Sequence, residues 1–205
     1  MPAAVARPRL GRELIVDEAR RLISAEGLEA LTLRRLADRF SVTAPAFYSH
    51  FRDKEDLLRA VAERQFEELM VRYRQIDADS DPDRPLERVR AQCRTYVQLS
   101  RDDPELFRVM FLFPPDLGGL LIVPEGSELP AATRAFRTAL RALEDAIAAG
   151  HLDPVEPLTV AMTLWAGVHG IASLFALGVQ MAPETEAAMV DEVTDRILRG
   201  YGARE

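Results

Sequence analysis

One cysteine, Cys93, stands in 205 residues, so no intramolecular disulfide framework can form and no zinc site can be built on several thiolates. Histidine is nearly as scarce. His50, His151 and His169 contain no pair at i, i+3 or i+4, so no helical metal site can be read and no metal or cofactor is expected. Glycine and proline total 24 residues, too few for a low-complexity or collagen-like tract. Catalytic signatures are missing as well. There is no G-x-x-x-x-G-K-[ST], H-E-x-x-H, G-x-S-x-G or strand-borne G-x-G-x-x-G. Ala148 and Ala166 stand three positions before His151 and His169, which removes the E-x-x-H of di-iron bundles. No catalytic constellation remains, and the chain is not expected to be an enzyme. The N-terminal MPAAVARPRLGREL has no apolar core of signal-peptide length, and with one cysteine the expected location is the cytoplasm.

Apolar residues make up 48 % of the chain and charged residues 29 %, the composition of an ordinary globular protein. The net charge of −7 is unevenly spread. Residues 1–60 hold 11 basic and 9 acidic side chains, a net of +2, and residues 61–205 hold 15 and 24, a net of −9. Over 1–52 the balance is 9 arginines against 6 acids, +3, which permits a local nucleic-acid footprint. From Pro157 to Pro183, 27 residues carry no Asp, Glu, Lys or Arg, a stretch long enough to span a bilayer. It contains His169, Gln180 and three glycines, and its flanks are the acidic Glu156 and Glu184 with no basic anchor. A helix buried all round in a protein core is therefore expected, not a membrane span.

Period-two alternation is nowhere sustained, whereas a 3.6-residue period runs through nearly the whole chain. Ile15, Ala19, Leu22 and Ile23 form a first stripe, closed by Gly27. Thr32 caps a second helix with Leu33, Leu36, Ala37 and Phe40. A short third helix covers about 44–50, and Asp53 caps a long fourth through Leu58, Ala62, Phe66, Leu69 and Tyr73. The polar run DADSDPD at 77–83 is the best boundary between two domains, 9–69 and 84–205. Pro85 opens a helix with Cys93 and Tyr96, and Asp103-Pro104 starts a short apolar one through Phe113. After a loop at 114–127 come helices marked by Phe136, Leu140 and Leu143, by the uncharged stretch, and by Val190, Val193 and Ile197, the last ending at Gly200. The expected fold is all-α, with about nine helices.

Residues 31–51, LTLRRLADRFSVTAPAFYSHF, are the informative part. Two helices meeting across the turn Ser41-Val42-Thr43 make a helix-turn-helix at about 32–51, with Thr43 as a cap and Pro45 in the first turn. Ala37, Val42, Phe47 and Phe51 can face the first helix, leaving Ala44, Pro45, Tyr48, Ser49 and His50 to point outward. Such a face suits a DNA groove, where small residues allow close approach and polar tips reach bases and phosphates. Geometry alone equally allows a plain αα-hairpin with Tyr48 and His50 partly packed. A helical scaffold that binds only protein would keep the C-terminal half and leave this pattern unexplained.

Residues 9–69 resemble the DNA-binding domain of the tetracycline-repressor (TetR) family of transcriptional regulators. The resemblance is carried without a gap by Ala25, Gly27, Leu28, Leu31, Thr32, Leu36, Ala37, Val42, Thr43, Tyr48, His50, Phe51, Lys54, Glu55 and Leu57. Ser41 departs from the glycine usual in the family's turn, and the recognition helix lacks a lysine tail. The resemblance implies that Thr32 touches phosphate and Arg34 reaches the groove. It makes Thr43, Ala44, Pro45, Tyr48, Ser49 and His50 the recognition surface, and gives Lys54 a phosphate contact at a helix N-terminus. It further implies a double-stranded operator of palindromic form, a homodimer, and release of a repressor by a small, largely apolar effector in the C-terminal domain.

WAGVHGIASLFALG (165–178) is similar to a subset of the family with a Trp…His-Gly signature, here Trp165, His169 and Gly170. Trp165 and His169 share a helix face, as a ring–ring contact in the core or as the wall of an effector pocket. Phe107, Met110 and Phe111 would lie across such a pocket, or form plain core. Trp165, His169 and Ala172 can turn into their own domain. Leu164, Ile171, Leu174 and Gly178, with Val190, Val193, Ile197 and Tyr201 on the last helix, still need a cover, which a two-fold copy would supply as a four-helix bundle.

Overall fold

A computed structural model describes residues 11–43, 47–112 and 131–204. Among these residues there are eight α-helices, and none is in a strand. They are α1 (Arg12–Glu26), α2 (Leu33–Phe40), α3 (Lys54–Asp79), α4 (Pro85–Asp102), α5 (Pro104–Leu112), α6 (Ala131–Ala148), α7 (Pro157–Ala176) and α8 (Pro183–Gly200), with a 3₁₀ turn at Leu28–Ala30. The expected loop at 114–127 and Phe113 lie outside the described residues.

The helix ends sit where local chemistry places them. Gly27 adopts φ +82°, and its N–H closes α1 on the Ile23 carbonyl at 2.8 Å. The Thr32 hydroxyl accepts from the Arg35 N–H at 3.1 Å, capping α2. Ser41, at φ 53° and ψ 41°, takes the left-handed turn position that favours glycine. Asp53 accepts from the Asp56 N–H at 2.7 Å, and Asp56 in turn accepts from the Arg52 N–H at 3.1 Å. This pair of bonds satisfies one orphan donor in the first turn of α3 and the N–H just ahead of the cap. That backbone bond, helped by Arg12 and Arg52, holds the Asp56 carboxyl below its ordinary range.

Two apolar cores share the chain. The first gathers Ile15, Leu22, Ile23, Leu31, Leu36, Phe47, Phe51, Leu57 and Val61 from α1, α2, the helix-turn-helix and the start of α3. The second begins at Phe66 on the same α3 and takes in α4, α6, α7 and α8. The seam thus falls in the middle of α3, not at the polar 77–83 segment, because α3 is one continuous helix whose lower turns belong to the second core. Gln65 marks it. This side chain is buried, and its amide, assigned in the orientation that satisfies both ends, accepts from Arg20 at 3.2 Å and donates to Glu68 at 3.3 Å.

α5 crosses the seam. Leu106 and Val109 belong to the first core, Phe107 and Met110 to the second, and all four are buried. Asp103 caps α5 by accepting from the Leu106 N–H at 2.9 Å, and also accepts from the Ser24 hydroxyl of α1. Glu105 accepts from the Leu28 N–H at 3.2 Å. Sequestering Leu106 and Val109 contributes about 1.5–3 kcal/mol each to holding the two cores together.

α7 is long and apolar enough to cross a membrane, but here one face packs on α4, α6 and α8. The expectation of burial all round is corrected, because Met162, Ala166, Gly170, Leu174 and Leu177 remain exposed in the protomer. The phase of the helix also differs from that expected. Leu164 and Ile171 point inward and are buried, so they are not on the open face. Val190 is buried too, because α8 docks on its own protomer. Arg90, Arg94 and Arg101 of α4 pair with Asp195, Asp191 and Glu186 of α8 at 2.8, 2.6 and 2.5 Å. Gly167 admits this approach. A Cβ there would meet Val193 at 2.8 Å and Ile197 at 3.1 Å, which leaves both half-buried against α7.

Candidate functional site

The helix-turn-helix face follows from its buried side. Phe47 and Phe51 are fully packed beneath the turn, with Phe40 and Phe47 ring centroids 6.0 Å apart. Burying these rings turns Tyr48 outward, 59 % exposed, with Thr43 and Ser49 also exposed and His50 half-buried. Ala44 and Pro45 lie outside the described residues. Arg12 of α1 steadies the end of this element: its guanidinium lies 4.1 Å from the Phe51 ring centroid and donates to the His50 carbonyl at 2.7 Å.

The arginines of this region are not equivalent. Arg35 pairs with Glu26, and Arg39 with Glu18 and Glu26. Arg20 pairs with Glu68 and Arg21 with Glu18. Among the described residues, Arg34 and Lys54 make no ion pair. Arg34 is exposed on α2, and Lys54 stands in the first turn of α3, where backbone N–H groups and the helix dipole favour an anion.

The second core holds a partly open cavity of about 160 Å³. Its wall comes from α3 (Phe66, Leu69, Tyr73), α4 (Val89, Gln92, Cys93, Tyr96), α5 (Phe111), α6 and α7. Of the five residues expected at a pocket, Phe111 and Trp165 line this cavity. Phe107, Met110 and His169 do not line it: Met110 is wholly buried and Phe107 packs against both Phe111 and His169. Leu164, expected on the dimer face, lines the cavity instead. Alternation along α7 could not show this, since the helix has no charged face to mark the outside.

Sequence reasoning placed Tyr96 only in a helical stripe, yet it organises one end of the cavity. Its hydroxyl accepts from the Trp165 indole N–H at 3.2 Å and lies 2.9 Å from His169 Nδ1. The indole nitrogen only donates, so the Tyr96 O–H is free to donate to an unprotonated Nδ1. His169 stacks on Trp165 at 5.0 Å and 18°, with Phe111 at 4.6 Å on another side. Desolvation lowers the imidazole pKa below 6.5, in keeping with a neutral ring. Burial pushes the Cys93 thiol up to about 11 and raises the Tyr73 and Tyr96 hydroxyls, so none of these groups ionises near neutral pH.

The unfolded chain takes up at His169 a proton that the folded chain resists. Stability from this residue is full above pH 6.5 and falls as the pH drops through and below that value. Urea unfolding between about pH 7.5 and pH 5 should therefore show a decline that His169→Gln makes shallower. An identical profile in the variant would mean that His169 titrates as freely folded as unfolded.

Comparison with known proteins agrees with this architecture at both ends. Residues 15–61 match the bacterial regulatory proteins, tetR family, and residues 89–200 match the tetracyclin repressor-like C-terminal domain, a description that does not refer to the Trp…His-Gly pattern. An uncharacterized HTH-type transcriptional regulator of Mycobacterium tuberculosis is 28 % identical over 202 residues, 98 % of this chain and 86 % of that protein. A structure of a protein of unknown function from Rhodococcus sp. RHA1 superposes with a TM-score of 0.77 at 26 % identity, covering 98 % of this chain and 100 % of the other. The structure of RolR in complex with resorcinol gives a TM-score of 0.65 at 20 % identity, over 94 % of this chain and 88 % of that one. With a helix-turn-helix at the head, a matched C-terminal domain behind it, and a relative that spans nearly the whole length, the chain belongs to the TetR family of bacterial transcriptional regulators.

Proposed function

We propose that this regulator acts as a cytoplasmic homodimer on a palindromic operator, as a repressor that a small apolar effector in the α3–α7 cavity releases. The observation that carries the reading is α5. Phe111 on its lower side forms cavity wall, while Leu106 and Val109 on its upper side lie in the core beneath the helix-turn-helix. A ligand against Phe111 has a route to the DNA-binding core through one rigid element whose two faces are both packed. Such coupling needs two arrangements of α5 with different ligand affinity. RolR, a likeness in fold, is in complex with the ligand resorcinol, a molecule small enough for a cavity of this size.

Arg34, Tyr48 and Lys54 are proposed to meet DNA, with Thr32, Thr43, Ala44, Pro45, Ser49 and His50 completing the surface. The unpaired cations and the exposed tyrosine support this. Fluorescence anisotropy with the DNA upstream of the protein's own gene tests it. Lys54→Ala or Arg34→Ala should weaken all sequences alike and flatten the salt slope by about one, whereas Tyr48→Ala should cost about 1–3 kcal/mol on the specific site only. Unaltered affinity in all three would remove the assignment.

The dimer face is proposed on the open side of α7, through Met162, Ala166, Gly170, Leu174 and Leu177, with the half-buried Val193 and Ile197 of α8 beside it. Leu177 is 79 % exposed, and an apolar strip of this kind is uncommon on a free surface. The two α7–α8 pairs would then bury one another as a four-helix bundle. Leu174→Arg should yield a folded monomer in analytical ultracentrifugation and remove cooperative operator binding. A wild-type chain that sediments as a monomer at micromolar concentration would contradict the face.

A further inference from the structure

The chemistry of the cavity wall restricts its occupant more narrowly than apolarity alone, an argument that rests on the cavity being the effector site. Size comes first. The volume is about 160 Å³, and a cavity of about 150 Å³ with aliphatic and aromatic walls accepts a benzene ring. One ring fills this space, and a long acyl chain or a fused ring system would have to project through its open side.

Charge comes second. Among the described residues no Asp, Glu, Lys or Arg lines the cavity. The wall's ionisable groups, Tyr73, Cys93 and Tyr96, are all held neutral by burial. An ion entering would lose its hydration and find no counter-charge, a transfer that is strongly unfavourable.

Polarity comes third. Tyr96 is committed to Trp165 and His169, and the Gln92 amide donates to Asp77 at 3.2 Å. Tyr73 is different. It is 5 % exposed, it lines the cavity, and its hydroxyl has no hydrogen-bond partner among the described residues. A hydroxyl without a protein partner in so apolar a wall is left to water, and a ligand hydroxyl placed against it would pair both groups.

We propose that the cavity takes a single neutral ring bearing one hydroxyl, a phenol without ionised substituents, with that hydroxyl paired to Tyr73. Every alternative class differs from this one in size, charge or hydrogen bonding, so a matched series of probes separates them.

The full-length protein is titrated with p-cresol, toluene, 4-hydroxybenzoate, tyramine and decanoate, using calorimetry and the emission of Trp165, the one tryptophan in the chain. p-Cresol should bind at one molecule per chain and change the Trp165 emission. 4-Hydroxybenzoate and tyramine keep the ring and hydroxyl but add a charge, and should bind about 100-fold more weakly. Tyr73→Phe should weaken p-cresol about 3- to 10-fold and leave toluene unchanged. Ala139→Phe fills the cavity and should abolish binding, with Ala139→Leu as a milder filling should the larger ring disturb folding. Equal or tighter binding of a charged congener or of decanoate overturns the proposal but leaves the effector site in place. No binding of p-cresol, or binding unaffected by both fillings, overturns it as well. Saturable p-cresol binding in the cavity with no change in operator affinity supports the ligand class and contradicts the effector reading instead.

Discussion

The structure depends on a nine-residue helix that belongs to two cores at once. α5 gives its apolar side chains to both sides and leaves Arg108 to solvent between them: Leu106 and Val109 are sealed under the helix-turn-helix, Phe107 and Met110 over the second core. Its N-terminus is tied to α1 through Asp103 and to the 3₁₀ turn that follows α1 through Glu105. A helix of this length is marginal in isolation, so tertiary packing on both sides is what keeps it formed. Because close-packed side chains resist compression, a displacement on one side must be taken up on the other.

The long helix α3 runs through the same seam, but the connection it makes is of another kind. Around Gln65 its surroundings change from apolar to polar, with Arg20 and Glu68 bridging α1 and α3. Directional hydrogen bonds can be exchanged for others or for water at small net cost, whereas the apolar contacts of α5 have no such substitute. The seam thus combines a rigid apolar strut with an adjustable polar layer. The cavity sits on the lower side of the strut, and its neutral, largely apolar wall contrasts with the ion-paired surface of α4 and α8 around it.

What could be read from the amino-acid order was local. Thr32, Asp53 and Asp103 cap helices because a short side-chain oxygen reaches an N–H two or three residues on, and Gly27 ends α1 because its positive φ suits glycine. The fold class followed from the same periodicity. The phase of α7 did not, since a helix without charge offers no polar face against which to orient it. Leu164 and Ile171 were as plausible outside as Ala166 and Gly170. Tyr96 was visible only as one apolar position among several, and it became a site residue through the meeting of α4, α5 and α7, which no spacing encodes. A charge count likewise could not separate Arg34 from Arg35, whose partner Glu26 lies on a different helix. The division between the two cores has a similar origin: it lies inside α3, beside one buried glutamine, where no break in the chain marks it.

The claim that the two cores form one mechanical unit is tested most directly by unfolding. Trp165 reports on the regulatory core alone, and Leu36 is fully buried in the DNA-binding core, far along the chain from it. Leu36→Ala removes about 2–5 kcal/mol from its own core. Urea denaturation followed by Trp165 fluorescence in wild type and variant should show a single transition in each, with the variant's midpoint shifted down by an amount that reflects this loss. A Trp165 midpoint that stays where it is in the wild type would show that the cores unfold independently, and would contradict the account.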